Sequence, residues 1–351
     1  MALNMGIIGY GGMAVWHHKS VNEVPEIAIT GAYDIREEIM ETVAKSGLKP
    51  YRSAEELCAD PQIDLVLVST PNNFHKEFSI MALRAGKNVI CEKPVTMNAA
   101  ELEEIINVSK ECEKIFTVHQ NRRWDADFLM IKKILETGTL KNPYFIENRV
   151  QGSRRYLHEW RGYAVNGGGM LRDWGVHLID QLMFLFPYKI ISVDAHLQQV
   201  YAKEVDDNFT ALMRFETGLS ALVNVAMNCF ITQPRWHMCC EDGTVVINNW
   251  DCDGKIVKLD EDAEDLSWDE VIVYTAAGPT RSMAPRPKET TVELPLPKVD
   301  ASWSEFYKNV YEAINGTASL IVKPEQSLRV MKVIDAFYES SRTKGPVSCS
   351  I

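Results

Sequence analysis

The residues best suited to chemistry lie in one short stretch that follows the glycine run at 167–169. Asp173 and His177 stand there, four positions apart. On a helix, residues at i and i+4 share one face, so the carboxylate can orient the imidazole or tune its pKa. An imidazole with an ordinary pKa near ~6.5 is suited to take a proton around neutral pH. The spacing indicates a general base, His177, with a helix salt pair or half of a metal site as alternatives.

A second candidate is Lys93, in the motif Cys91-Glu92-Lys93-Pro94. An ammonium there can hydrogen-bond an oxygen that is losing its proton and stabilise the developing alkoxide. The alternative is an ordinary turn lysine before a proline. No further ligands stand at metal-site spacing around Asp173 and His177, so we expect no metal. A base and a cation are two of the three parts that oxidation of an alcohol requires.

The third part, a hydride carrier, is indicated by Gly9-x-Gly11-x-x-Ala14, which follows an apolar run and opens a helical one. Such glycines permit a tight turn that brings a pyrophosphate to the helix N-terminus. Asp34, 20 residues after Ala14, can accept hydrogen bonds from the ribose hydroxyls and would repel a 2'-phosphate, which favours NAD over NADP. Arg36 softens that preference. The loop residues expected to contact the cofactor are Gly9, Gly11, Gly12 and Met13.

Alternating elements in the first third of the chain must position these residues. Strands are predicted at 3–9, 27–33, 65–70, 88–91 and 115–118, and helices from Ala14 and at 36–46, 74–85 and 98–112. Alternation of this kind predicts an α/β fold with a doubly wound parallel sheet of the Rossmann type.

After about residue 122 the rhythm changes. A helix at 127–137 precedes longer alternating runs at 144–150, 190–201, 208–215, 220–227 and 244–248, and amphipathic helices are predicted at 303–315 and 324–341. This half predicts an α+β domain with a large, open, mostly antiparallel sheet. The acidic run at 260–270 and the proline-rich run at 278–297 predict a long loop or flap, which is either a solvated insertion or part of the site. We expect a dinucleotide-binding domain at 1–121 and a substrate and oligomerisation domain at 122–351.

Composition excludes several other classes of protein. The chain has 351 residues, 46% of them hydrophobic, enough for two cores. Its formal net charge of -11 and the lack of a basic block argue against nucleic acid as a partner. Without a signal sequence or a membrane-spanning run, we expect a cytoplasmic protein with no membrane partner. The eight cysteines lack paired spacing and are expected to be reduced.

These motifs, taken in order, resemble the glucose-fructose oxidoreductase / inositol dehydrogenase / rhizopine catabolism family, Gfo/Idh/MocA. The resemblance covers nearly the whole chain. It is carried by the glycine loop, Ser69-Thr70-Pro71-Asn72 with His75, Cys91-Glu92-Lys93-Pro94, Gln120-Asn121-Arg122-Arg123-Trp124-Asp125, and the segment from Gly167 through Asp173, His177 and Asp180. It implies a Rossmann domain, then an α/β domain whose open sheet packs in homodimers or homotetramers, and NAD(P)-dependent chemistry on sugars, cyclitols or glycosides.

The resemblance also assigns roles to residues. It implies that Lys93, Asp173 and His177 meet at the nicotinamide as the catalytic residues. Further cofactor contacts are expected from Asp34, Arg36, Thr70, Pro71, Asn72, His75, Glu92, Lys93 and Gln120. The residues expected to line the substrate pocket are Arg123, Trp124, His158 and Trp160, together with Asp173 and His177. His17 and His18, just after the glycine loop, are expected on the helix surface.

The sequence thus predicts an NAD-dependent dehydrogenase acting on a secondary hydroxyl. Its segment 121–125 resembles that of inositol dehydrogenases and favours a cyclitol, with glycoside 3-dehydrogenases close behind. One alternative is a glycosidase that retains NAD and oxidises its substrate transiently. Another is a non-catalytic NAD-binding sensor, against which the presence of Lys93, Asp173 and His177 argues.

Overall fold

Short apolar strands and amphipathic helices build the N-terminal layer of the protein. We describe the protein from a computed structural model, in residues 2–260, 272–281 and 288–351. The elements of the first part are β1 (Leu3–Ile8), α1 (Gly12–Val21), β2 (Ile27–Tyr33), α2 (Glu37–Lys45), β3 (Lys49–Pro50), α3 (Ala54–Ala59), β4 (Leu65–Val68), α4 (His75–Arg84), β5 (Asn88–Cys91), α5 (Ala99–Glu111) and β6 (Phe116–Val118).

The six strands of this part form one parallel sheet in the order β3-β2-β1-β4-β5-β6. The predicted doubly wound sheet is therefore confirmed. The structure adds the two-residue strand β3 and the short helix α3, whose N-cap Ser53 accepts a hydrogen bond from the Glu56 amide. Strand order reverses between β1 and β4, and ligands of such folds bind outside the carboxyl ends of the strands at that point.

A larger sheet follows. The remaining elements are α6 (Ala126–Glu136), β7 (Pro143–Gln151), α7 (Val176–Leu185), β8 (Ile190–Gln198), β9 (Asn208–Phe215), β10 (Ser220–Ala226), β11 (Trp236–Cys240), β12 (Gly243–Ile247), β13 (Gly254–Leu259), β14 (Ile272–Thr275), β15 (Gly278–Arg281), β16 (Thr291–Leu294), α8 (Ser304–Ile314), α9 (Pro324–Thr343) and β17 (Val347–Ser348). Nine of the strands form a sheet in the order β16-β13-β12-β11-β7-β10-β9-β8-β17. Adjacent strands of this sheet are antiparallel, except for the parallel pair of β7 and β10. This confirms the predicted architecture.

The prediction of a long loop at 278–297 is wrong in part. Gly278–Arg281 pairs with Ile272–Thr275 as a two-stranded hairpin, and Thr291–Leu294 is the edge strand of the large sheet. Prolines and charges masked the short β-runs between them, because β-propensity depends on the pairing partner. Residues 282–287, and 261–270 of the acidic run, lie outside the described residues.

The C-terminal helices join the two layers. Helix α9 packs on β8 and α7 on one side and on α5 and β6 on the other, while α8 packs on α1. Eight of the ten residues of α7 are buried, among them the polar His177, Asp180 and Gln181, so the large sheet and α9 fix its position. Among the helices of the described ranges, none is both long enough and apolar enough to cross a membrane.

Candidate active site

The glycine loop after β1 forms the entrance to a dinucleotide site. Gly9 has φ +90°, and a Cβ there would lie 2.6 Å from the Ser69 carbonyl oxygen, so the turn requires glycine. Gly11 is the N-cap of helix α1 and has no side chain to cap the first amides, so an anion can approach the helix N-terminus. A Cβ at Gly12 would meet nothing within 4 Å, and Met13 beside it is half-buried. The space before α1 therefore fits a pyrophosphate.

Asp34 ends β2 beside this loop. Its Oδ2 accepts a hydrogen bond from the Tyr10 amide at 2.9 Å. The Arg36 guanidinium grips the same carboxylate through Nε at 2.9 Å and a terminal nitrogen at 3.0 Å. Burial alone would raise the pKa of Asp34, but the bonds to Arg36 hold it below its usual value. Half of the Arg36 side chain is exposed.

The loops after β4 and β5 lock together below the cofactor crevice. The ring nitrogens of His75 lie 2.8 Å from the Thr70 carbonyl oxygen and 2.9 Å from that of Pro94. The Asn72 side chain donates to the Gly167 carbonyl oxygen at 2.8 Å. Four predicted cofactor residues, Thr70, Pro71, Asn72 and His75, thus form one connected support. It binds the loop that carries Lys93 to the glycine run before Asp173.

Lys93 reaches across to the second part of the chain. Its Nζ donates to Asp173 Oδ1 and to the Asp173 backbone oxygen, each at 2.9 Å. Arg161 Nε lies 3.4 Å from the same carboxylate oxygen. Burial would raise the pKa of Asp173, but Lys93 and Arg161 hold it below its usual value. Asp173 is therefore ionised and fixes the lysine ammonium at the site.

His177 is buried and has a different partner from the one its spacing suggests. Its Nδ1 lies 3.2 Å from Gln120 Oε1, an oxygen that can only accept a hydrogen bond. Nδ1 must therefore carry the proton, which leaves the lone pair on Nε2. Burial, and then the charges of Lys93 and Arg122, hold the pKa of His177 well below its usual value. The imidazole is neutral and oriented as a proton acceptor.

A π-helical turn at Leu171–Gly175 explains the exchange of partners. Its wider turn displaces Asp173 from the α-helical register with His177, and such turns are frequent at functional sites. Gly169, just before it, has φ +103°, and a Cβ there would lie 2.3 Å from Asp206 Oδ1. The Leu171 amide donates to Asp206 Oδ2 at 2.7 Å. Asp206 thus anchors the start of the segment that carries both candidate catalytic side chains.

The predicted substrate residues are less uniform in their settings. Arg123 is buried, with two nitrogens on the Asp180 oxygens at 2.7 Å each. Trp124 is half-buried and meets Phe306 edge to face. His158 is exposed, and Trp160 is half-buried under the Arg161 guanidinium, 4.6 Å from its ring centre. Of these four residues, Trp160 is the one linked to Asp173, because Arg161 contacts both.

Three residues near His177 were missed from sequence. The Arg122 guanidinium carbon lies 4.2 Å from the Trp174 ring centre and 5.3 Å from that of Trp250, and Trp174 meets the His177 ring at 6.1 Å. Arg122 donates to Asp125 at 2.8 Å, and among the described residues its buried Nε has no hydrogen-bond partner. The motif contained Arg122 and Arg123, but two adjacent arginines give no signal of which one faces the site.

The expectation for His17 is wrong, because its side chain is 1% exposed. His17 Nε2 lies 2.9 Å from Glu92 Oε1, and His119 Nδ1 lies 2.8 Å from the same oxygen. Glu92, a predicted cofactor residue, is itself buried. The periodicity of α1 does not reveal that His17 is buried, because its partner Glu92 comes from a different element of the fold. His18, as expected, is not buried and bonds to the Tyr10 hydroxyl.

A dinucleotide crevice at a sheet switch point, beside a lysine, a carboxylate and a neutral imidazole, defines the site as that of an NAD-binding oxidoreductase. Residues 3–120 match the "Oxidoreductase family, NAD-binding Rossmann fold" and residues 128–246 match the "GFO/IDH/MocA C-terminal domain". The chain belongs to the Gfo/Idh/MocA family.

One solved structure and two curated relatives are similar to this chain over 63% to 99% of its length. An NAD-binding protein from Listeria innocua, known from its crystal structure, is 41% identical in sequence to this chain. The two structures superpose with a TM-score of 0.91 over 99% of both chains. The scyllo-inositol 2-dehydrogenase (NADP+) IolW of Bacillus subtilis is 30% identical over 97% of this chain and 94% of its own length. The myo-inositol 2-dehydrogenase of Thermotoga maritima is 28% identical over 63% of this chain and 68% of its own.

Proposed function

We propose that the protein transfers a hydride between a secondary hydroxyl of a cyclitol, sugar or glycoside and a nicotinamide. The observation that carries this proposal is the meeting of Lys93, Asp173 and the Gln120-oriented His177 beside the cofactor crevice. We assign the cofactor contacts to the glycine loop, Asp34 and the Thr70 to His75 support described above. Bound NAD would supply the hydride acceptor.

His177 and Lys93 act on the same substrate oxygen in different ways. As the hydride leaves carbon, the hydroxyl must lose its proton, and the free lone pair on His177 Nε2 accepts it. Lys93 Nζ donates a hydrogen bond to the same oxygen and stabilises its developing negative charge. Asp173 holds the ammonium in place and can accept from a neighbouring substrate hydroxyl. The product is a ketone, and reduction follows the same path in reverse.

The substrate we favour is an inositol-like ring, with a glycoside oxidised at C3 as the second choice. Three relatives are named as inositol dehydrogenases. Arg122, whose Nε has no hydrogen-bond partner among the described residues, can donate to a ring hydroxyl. Trp174 and Trp250 offer aromatic surface for the apolar face of such a ring. Within this proposal Arg122 replaces Arg123 as the pocket arginine, because Asp180 already occupies Arg123.

The preferred cofactor is proposed to be NAD. Asp34 is ionised and stands at the end of β2, where an acid selects a ribose with a free 2'-hydroxyl. The relative IolW is named as an NADP+ enzyme, and Arg36 would give this chain some tolerance for NADP. The proposal also includes a dinucleotide-binding domain at 1–121 and a substrate domain at 122–351.

We also propose a homodimer or homotetramer through the large sheet. In register across the strands, a row of half-buried side chains lines one face of the sheet. The row consists of Leu212, Leu222, Glu147, His237 and Val246. Mixed apolar and polar rows of this kind suit a subunit interface. Light scattering of the purified protein measures the oligomer directly.

The proposed function is tested by incubating the protein with NAD+ or NADP+ and myo-inositol, scyllo-inositol, glucose or methyl glucosides. Absorbance of the reduced cofactor and identification of a keto product support it. Release of the aglycone without net reduced cofactor would instead indicate the glycosidase. Inactivity toward every polyol, with no nucleotide released on denaturation, would leave a sensor and contradict the proposal.

A further inference from the structure

Four buried side chains from four separate elements meet behind the candidate active site. His17 comes from α1, Glu92 follows β5, His119 follows β6 and Tyr307 lies in α8. Each is at most 5% exposed. We call them the Glu92 cluster. None of them was assigned a part in proton transfer above.

The cluster places one carboxylate between the cofactor helix and the catalytic lysine. Glu92 Oε1 contacts His17 Nε2 at 2.9 Å and His119 Nδ1 at 2.8 Å. Glu92 Oε2 accepts a hydrogen bond from the Lys93 backbone amide at 3.0 Å. Burial would raise the pKa of Glu92, but the two histidines hold it well below its usual value. The ionised carboxylate can accept hydrogen bonds and donates none.

The charge of Glu92 dictates the tautomer of His17. Burial lowers the pKa of His17, so its ring is neutral and carries one proton. A bare Nε2 facing the carboxylate at 2.9 Å would be repelled, so the proton belongs on Nε2. Nδ1 then needs a donor, and the Tyr307 hydroxyl stands against it. Burial keeps the pKa of Tyr307 well above its usual value, so this hydroxyl retains its proton.

We propose that Tyr307 and His17 are positioning residues for Lys93, acting through Glu92. The Tyr307 hydroxyl donates to His17 Nδ1 and holds the ring in place, His17 and His119 hold the Glu92 carboxylate, and Glu92 holds the Lys93 amide. The Lys93 ammonium is thereby aimed at Asp173 and the reacting oxygen. The inference rests on the proposed function, because it concerns the role given there to Lys93. It also makes α8, distant in sequence, part of the support of the site.

The test compares Tyr307→Phe with Tyr311→Phe, a half-buried tyrosine one turn further along α8. Histidine 15N NMR of the protein without substrate reports the His17 tautomer. We expect the proton on Nε2 in all three proteins, and a shifted His17 Nδ1 resonance in Tyr307→Phe alone, because that nitrogen loses its hydrogen-bond donor. With scyllo-inositol, Tyr307→Phe should lower kcat about ten-fold with little change in KM for NAD+, as slight misplacement of a catalytic group does.

Several outcomes would overturn the inference. A His17 Nδ1 resonance that does not move in Tyr307→Phe is one, and a kcat equal to that of Tyr311→Phe is another. His17, Glu92 and His119 each offer one possible metal-ligand atom, and these atoms lie within 4.8 Å of one another. Metal content is therefore also measured. Stoichiometric zinc that is lost in His17→Gln would mean that a metal, and not the tyrosine, orders the cluster. The NMR measurement needs no turnover, so it remains decisive even if scyllo-inositol is no substrate.

Discussion

Gln120 Oε1 and His177 Nδ1 lie 3.2 Å apart, and this contact alone decides which nitrogen of the imidazole can accept a proton. It joins the end of β6 to the helix α7 of the second layer. The oriented ring is one of the main reasons for proposing His177 as the base.

Substitution of Gln120 tests this orientation. Gln120→Leu removes the acceptor, frees the tautomer and should lower kcat about ten-fold or more. Gln120→Glu keeps an acceptor and adds a negative charge, which raises the pKa of His177. The acid limb of its kcat profile should then move to higher pH. Rates and pH profiles of both variants that match the parent would contradict the orienting role.

Lys93→Met removes the ammonium while keeping the length of the side chain. Loss of a placed charge of this kind costs about 10²- to 10³-fold in turnover. We expect kcat to fall by that amount while NADH fluorescence shows nearly unchanged cofactor affinity. Lys93→Arg, which keeps the charge, is the matched control. Full activity of Lys93→Met would end the assignment.

Arg122 and Arg123 form a natural matched pair. In Arg122→Gln the charge that lowers the pKa of His177 is lost, so that pKa rises and the acid limb moves to higher pH. Its kcat/KM for the polyol should fall at least about ten-fold. Arg123→Gln leaves buried Asp180 unpaired and should cost about 3–5 kcal/mol of stability. Thermal unfolding and steady-state kinetics separate the two, and equal profiles would refute the distinction.

Arg36 and Asp34 should control cofactor choice in opposite directions. Arg36→Ala removes the only cation placed beside Asp34 in the described contacts, so NADP+ use should fall about ten-fold relative to NAD+. Asp34→Ser removes the repulsion of a 2'-phosphate and should raise it. The ratio of kcat/KM for the two cofactors is the measurement. A ratio that neither change moves would place the discriminating contact elsewhere.

Asp206 and Asp207 should make opposite contributions to the pH dependence of the free energy of unfolding. Burial raises the pKa of Asp206 to about 6, so folding favours its protonated form, and that contribution is lost as pH rises through about 6. Asp206→Asn should therefore exceed the parent in stability near pH ~7.5, by up to roughly 3 kcal/mol, and converge with it below pH ~4.

The Asp207 control should show the reverse. Burial alone would raise its pKa, but the amides of Ala202, Val200 and Tyr201 hold it below its usual value. The charged form is thus favoured in the folded state, and its contribution is lost as pH falls. Asp207→Asn should be destabilising at neutral pH. Urea unfolding from acid to neutral pH measures both variants, and curves parallel to the parent would refute the assignment.

The sequence was informative where a property is local. The loop from Gly9 to Ala14 needs only its own glycines and the strand before it, and the alternation of strands and helices follows from short-range periodicity. The identity of the parallel sheet and of the larger sheet was therefore predictable. The short strand Thr291–Leu294 was not, since its partner β13 alone makes it a strand.

The partners of the site residues depend on packing between elements and were less accessible. The spacing of Asp173 and His177 assumes α-helical turns, and the π-helical turn gives each a different partner. His17 lies among polar neighbours in α1, yet Glu92 and Tyr307 enclose it from elsewhere. Arg122 and Arg123 are identical in type, and Asp180 decides which of them is held in a buried ion pair.

The ion pair between Lys93 and Asp173 has a thermodynamic consequence. It joins a loop of the parallel sheet to a segment supported by the antiparallel one. Under the proposed function, a cofactor that steadies Lys93 would steady Asp173 as well, so less ordering would remain for the second ligand to impose. By reciprocity, the polyol must strengthen cofactor binding by the same factor as the cofactor strengthens polyol binding. The two ligands are thereby coupled in affinity through a single pair of charges.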